Sequence, residues 1–279
     1  MNSEPTESRT FDYVSAGVRL RLKAIQATRP DGLALEPAAG HASPPTLVFL
    51  HDSLGSIETW RDFPDRMAEA VGLDGLIYDR RGHGESDPFA PGPRSACYLH
   101  DEAAVLARLL EAQGVGEAVL FGHSDGATIA LLAAALFARG LRAVIVEGGH
   151  VFVEEPTLAG LREAAAALHA TDLLARLARY HGDKAEALAS AWLETWLSPQ
   201  FRDWNIESEL RSIHCPVLVL QGERDEYGTE AQVRAITAGV AGPACAQLFP
   251  GVGHVPHRDV ADGVIRVCAE FLHEYAAGG

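Results

Sequence analysis

The chain opens on alternating apolar and polar positions, as in VRLRLKAI, which predict two early strands near residues 10–16 and 18–27. A Pro-, Gly- and Ala-rich loop, RPDGLALEPAAGHASPP, separates them from TLVFLHD, whose unbroken apolar run reads as a buried strand. After it, helical patterns take turns with short apolar runs. TWRDFPDRMAEAVG is helical and LDGLIYDRR is a strand; YLHDEAAVLARLLEAQG sets Leu99, Ala103, Leu106 and Leu110 on one helical face and ends at Gly114. EAVLFGHS is the next strand. GATIALLAAALFARG follows, apolar on nearly every face, which predicts a helix lying buried against the sheet. This alternation, continued in RAVIVEGG, predicts an α/β fold: a mostly parallel sheet flanked by helices.

From about residue 151 to 212 the alternation stops. EEPTLAGLREAAAALH, DLLARLARYHG, KAEALASAWLETWLS and the stretch around FRDWNIESELRSI are helical with no strand between them, so this segment reads as an all-α cap. Residues 1–150 and 213–279 then form one core domain. CPVLVLQGE resumes the sheet, a helix follows near 229–239, CAQLFPG is the last strand, and ADGVIRVCAEFLHEY closes the chain as a helix.

Composition narrows the function classes. A 279-residue chain with 47% hydrophobic and 22% charged residues can bury one large core. Its formal net charge of −15 argues against nucleic acid and anionic membranes as partners and reads as a solvated acidic surface; the small-molecule substrate expected as partner follows from the chemistry of the candidate site residues. The polar start MNSEPTESRTF lacks a basic and apolar signal-peptide pattern, and ATIALLAAALFA is too short to span a bilayer. Cys97, Cys215, Cys245 and Cys268 are scattered, as expected of reduced thiols in a cytoplasmic protein. The oligomeric state is left open.

The chemistry concentrates in FGHSDGA, where Ser124 and Asp125 stand side by side as possible nucleophiles. Gly122-His123-Ser124-Asp125-Gly126 fits GxSxG between an apolar strand and an apolar helix. Centred on Ser124, the crowded flanks of the turn are Gly122 and Gly126. Centred on Asp125 they would be His123 and Ala127, and a histidine fits there poorly, so the register favours Ser124. A serine hydroxyl needs a base that is itself oriented by an acid. Downstream, QGERDEYG places Asp225 and PGVGHVPH places His254 in loops after strands, in the order Ser, acid, His. Glu147, at the end of a strand, is a rival acid, and His257 a rival base. His41, His169, His181 and His273 read as surface or helix residues, and the histidine spacings make no metal site.

Taken together, FLHDSLGS, YDRRGHGES, FGHSDGA, QGERD and GVGHVPH resemble the α/β-hydrolase family, in its order and over almost the whole chain. The resemblance implies an eight-stranded sheet with the cap after strand six. It also implies Ser124 as nucleophile, Asp225 as acid and His254 as base, with no cofactor. One oxyanion donor is implied at the Ser53 N–H, with Leu54 the alternative, and the second at the Asp125 N–H. Asp52 departs from the family's His-Gly start, although a similar loop occurs in members resembling enol-lactonases. The Asp125 carboxylate is expected to be turned outward or paired, with Arg80 and Arg81 as partners for it or for Asp52.

Leu54, His123, Phe152, Trp192, Trp196 and Trp204 are candidates to line the substrate pocket; the aromatic ones lie in or at the edges of the cap. The expected activity is cleavage of a small ester, lactone or thioester through an acyl-enzyme. A carbon–carbon bond hydrolase of aromatic ring-cleavage products is one alternative. A ligand receptor with slow turnover is another.

Overall fold

The structure, a computed structural model, describes residues 7–28, 43–90, 94–137 and 139–276. Most of the Pro-rich loop before the third strand, His41 included, lies outside the described residues. Eight strands form one sheet in the order β1-β2-β4-β3-β5-β6-β7-β8. They are β1 (Glu7–Ser15), β2 (Val18–Gln26), β3 (Thr46–Leu50), β4 (Gly75–Tyr78), β5 (Ala118–His123), β6 (Leu141–Glu147), β7 (Val217–Gly222) and β8 (Ala244–Phe249). The first two strands pair antiparallel with each other, and β2 with β4; every other pairing is parallel.

Helices α1 (Phe63–Val71), α2 (Tyr98–Ala112) and α3 (Asp125–Leu136) fall between the early strands. Between β6 and β7 the described chain adds no strand to the sheet. It forms α4 (Glu155–Ala170), α5 (Leu173–His181), α6 (Ala185–Trp196) and the short α7 (Glu207–Leu210). Helix α8 (Glu230–Gly239), the short α9 (Pro256–Asp259) and α10 (Ala261–Phe271) complete the chain.

Parallel strands buried on both faces explain the continuous apolar runs, because successive side chains point to opposite layers. On one side Val48, Leu50, Leu120, Val144, Val146, Val217 and Val219 pack with α2, α3 and α8. On the other, Leu47, Phe49, Val119, Phe121, Ile145, Leu218 and Leu220 pack with α1 and α10. Helix α3 is buried from Asp125 through Ala134, which accounts for its apolar residues on every face. Gly114, at φ +69°, follows the end of α2 in the left-handed conformation that ends helices.

The sheet brings the ends of β3, β5, β6, β7 and β8 to one edge, where open parallel sheets place their ligands. No helix of the described residues is long and apolar enough to cross a membrane.

Candidate active site

Ser124 lies between the end of β5 and the start of α3, at φ 54° and ψ −118°, a backbone conformation that L-residues rarely hold. The surrounding packing leaves no alternative residue type at its flanks. A Cβ on Gly122 would lie 2.3 Å from the Gly126 carbonyl oxygen, and one on Gly126 would lie 2.0 Å from that of Leu50. The turn is tied down by the Ser124 N–H, which donates to the Glu147 carbonyl at 2.8 Å, and by the Ala127 and Thr128 N–H groups, which donate to the Ser124 carbonyl.

His254 and Asp225 meet from the loops after β8 and β7. His254 Nδ1 lies 2.9 and 2.8 Å from the two Asp225 oxygens. The carboxylate is further held by the Gln221 side-chain amide at 2.6 Å and by the Tyr227 and Gly228 N–H groups at 2.8 and 3.2 Å. Burial works to raise the Asp225 carboxyl, but His254 and these donors hold it below its ordinary value. With Nδ1 turned to this carboxylate, Nε2 is the ring nitrogen not engaged by Asp225.

Glu147 and His257, the rival acid and base, are not partners of this pair. They bond to each other: Glu147 accepts from the His257 N–H at 2.7 Å and faces Nδ1 at 2.5 Å. With His123 they bring ligand-type atoms within 4.8 Å of one another, all buried. Both Glu147 oxygens are taken up by His257, so the group is already hydrogen-bonded as a carboxylate–imidazole pair.

Ser124 and His254 line the same cavity, about 230 Å³ in volume, together with Ser53 and Asp125. Of the residues expected to line it, Leu54, His123, Trp192 and Trp196 do. Phe152 and Trp204 do not: Trp204 stacks on Phe201 at 5.2 Å, and Phe152 bridges to Asn205, so both are packing residues of the helical segment. His150, Thr157, Tyr227, Val255 and Arg258 also line the cavity. Tyr227 and Val255 sit beside Asp225 and His254 in the motifs already noted, whereas His150, Thr157 and Arg258 carry no motif of their own. A larger cavity of about 780 Å³, lined by Arg94, Tyr98 and Glu102 among others, includes neither Ser124 nor His254.

The two acidic side chains flanking the cavity are both paired. Asp125 is buried and paired, the second of the two arrangements expected: its carboxylate accepts from the Tyr98 hydroxyl at 2.9 Å and lies 3.7 Å from Arg80. Tyr98 in turn accepts from the Trp196 indole N–H at 2.8 Å. Arg80 also donates to the Asp52 and His51 carbonyls at 2.6 and 3.3 Å. Arg81 pairs with neither acid and donates to the Pro88 carbonyl. Asp52 accepts from the Leu54 N–H at 2.7 Å and stands 3.5 Å from His123. The Leu54 N–H is therefore engaged.

His181 is the last residue of α5, as the helix reading expects. It is buried, not superficial: its Nδ1 accepts from the Gly84 N–H at 2.9 Å, and its Nε2 donates to the Leu54 carbonyl at 2.9 Å. His273 is exposed as expected.

The Alpha/beta hydrolase family matches residues 47–267, most of the chain and every element of the site. The chain belongs to this family. Among curated relatives it is 27% identical to the 2-succinyl-6-hydroxy-2,4-cyclohexadiene-1-carboxylate synthase of Escherichia coli O8 (strain IAI1), covering 86% of this chain and 99% of that protein. Solved structures with the same fold include the enol-lactonase of Burkholderia xenovorans LB400, with a TM-score of 0.69, 20% identity and coverage of 94% and 99% of the two chains. The proline iminopeptidase of Mycobacterium smegmatis superposes with a TM-score of 0.72 at 18% identity, covering 96% and 99%.

Proposed function

We propose that this hydrolase-family protein is a serine hydrolase cleaving a small carboxylic ester, lactone or thioester. The observation that carries the reading is the strained Ser124 sharing one small cavity with His254, whose other ring nitrogen faces Asp225. In this reading His254 Nε2 takes the Ser124 proton as Oγ attacks the carbonyl carbon, and Asp225 stabilises the imidazolium that forms. The leaving group departs with a proton from His254, giving an acyl-enzyme. His254 then activates water, which releases the acid and restores Ser124.

Two backbone amides are suited to the developing oxyanion. Asp125 is the first residue of α3, where N–H groups have no acceptor within the helix. The Ser53 N–H is the better second donor, because that of Leu54 already serves Asp52. The cavity volume favours a compact acyl group against Trp192 and Trp196. A second reading takes the activity in the E. coli relative's name, and similarity over nearly the whole of both chains supports it.

A fluorophosphonate probe with intact-mass readout, beside a panel of short p-nitrophenyl esters and lactones, tests the proposal. One phosphonyl adduct is expected, lost in Ser124→Ala together with turnover by a factor of at least about 10⁴. Hydrolysis that survives Ser124→Ala but disappears in Asp125→Asn would sink the serine mechanism. Labelling without turnover of any ester would favour the second reading.

A further inference from the structure

His123 lies between the elbow's first glycine and Ser124, is buried, and has no part in the proton transfers above. Its ring is the meeting point of three loops. From the loop after β3, Asp52 Oδ2 stands 3.5 Å from Nδ1, within ion-pair range though long for a hydrogen bond. From the loop after β8, the His254 carbonyl accepts from Nε2 at 2.9 Å. Glu147, at the end of β6, and His257 close the third side, and the His254 and His257 rings both lie 5.0 Å away. The Trp60 ring covers the remaining edge.

Both ring nitrogens therefore face oxygen acceptors, one of them a carboxylate. A neutral imidazole has one N–H and can turn it to only one of the two; an imidazolium donates to the His254 carbonyl and also presents a charged N–H to Asp52, at ion-pair rather than hydrogen-bond distance. Burial opposes the cation, but Asp52 and Glu147 outweigh it and hold His123 up at about 9. Burial likewise works to raise Asp52, yet the His123 ring keeps it well below the carboxylate range. His83 is the contrasting case. Its nitrogens face the Arg81 and Ser53 carbonyls with no carboxylate, and burial beside Arg80 pushes it well down.

We infer that His123 is a positioning residue whose imidazolium joins Asp52 to the His254 carbonyl, holding the Ser53 loop and the His254 loop in register about Ser124. The inference rests on the serine-hydrolase reading of the same site. It also accounts for an aspartate where the family resemblance leads one to expect glycine. A glycine at position 52 could neither hold the Leu54 N–H nor face the ring. Because the two loops carry an oxyanion donor and the base, slackening this joint should lower kcat with little change in KM.

The ring's charge can be read without any substrate. In a long-range ¹⁵N–¹H correlation spectrum, with the His123 signals assigned by their loss in His123→Gln, both nitrogens should carry protons at pH 7.5. They should titrate near pH 9, and Asp52→Asn should move the midpoint down. Fluorophosphonate labelling of Ser124 should slow by about tenfold to a hundredfold in Asp52→Asn and His123→Gln, with melting curves showing that each variant is folded. A neutral His123 ring at pH 7.5 overturns the inference, as does wild-type labelling in both folded variants. An unlabelled Ser124 in the wild type would instead overturn the hydrolase reading, leaving the ring measurement to stand separately.

Discussion

Arg80 and Asp125 show how single buried residues shape this site. Both are almost wholly removed from water, and their contact, Nη1 to Oδ2 at 3.7 Å, is too long for a hydrogen bond; Arg80 Nη1 and Asp125 Oδ1 have no hydrogen-bond partner among the described residues. The pair's net contribution is small, because desolvation offsets most of the attraction. Removing one member is a different matter, since it strands the other charge. Arg80→Ala should therefore cost about 3–5 kcal/mol in urea unfolding at pH 7. Arg80→Lys should recover little of it, because one ammonium cannot reach Asp125 and the His51 and Asp52 carbonyls in the same forked geometry. A loss below about 1 kcal/mol for Arg80→Ala would mean that water reaches the pair and that Asp125 is not held by it.

At the scale of elements, His181 fastens the end of α5 to two core loops at once. Its tautomer follows from its partners: Nδ1 accepts from Gly84 and Nε2 donates to Leu54, so the ring must be neutral. His181→Ala removes both bonds where the helical segment meets the loop bearing Ser53. Limited proteolysis should then cut within α5 or α6 several-fold faster than in the wild type, while cleavage in α3 stays slow. Equal cutting rates would show that the aromatic packing of Trp196, Phe201 and Trp204 holds the segment unaided.

The elements themselves were legible because each rests on local information. Apolar runs gave the strands, the 3.6-residue period gave α2, and Gly122 and Gly126 gave the elbow. Pairings such as Asp52 with His123, Arg80 with Asp125 and His181 with Leu54 join residues far apart in sequence. No periodicity encodes them, so the sequence leaves open which partner Asp125 takes and how deeply His181, at the end of α5, is buried. Phe152 and Trp204 were over-read for a related reason: an aromatic ring in a helical segment can face the cavity or the segment's own interior, and only packing decides which.

For the whole molecule, charge and burial make opposite forecasts for acid. A net charge of −15 predicts that mild acidification stabilises the fold by relieving self-repulsion. The buried histidines predict the reverse. His51, His83, His150 and His181 are all held below the ordinary value, burial being the largest cause for each. Unfolding frees them to take up protons, so stability falls as pH drops from about 6.5 through their folded values. His123 has the opposite sign: its contribution is complete below about 6.5 and fades as pH rises to about 9. Asp79 and Glu102, raised by burial, favour the folded state again only at lower pH. Each fully separated proton is worth about 1.4 kcal/mol per pH unit, and four histidines act on the acid side against one on the alkaline side. The diffuse surface charge is screened beyond about 8–10 Å at ordinary ionic strength, whereas the buried rings are not. Urea midpoints measured from pH 5 to 9.5 in 0.15 M salt should therefore peak near neutrality, with the acid limb the steeper. A midpoint that rises steadily from pH 7 to 5 would show that surface repulsion, not the buried imidazoles, governs this protein's stability.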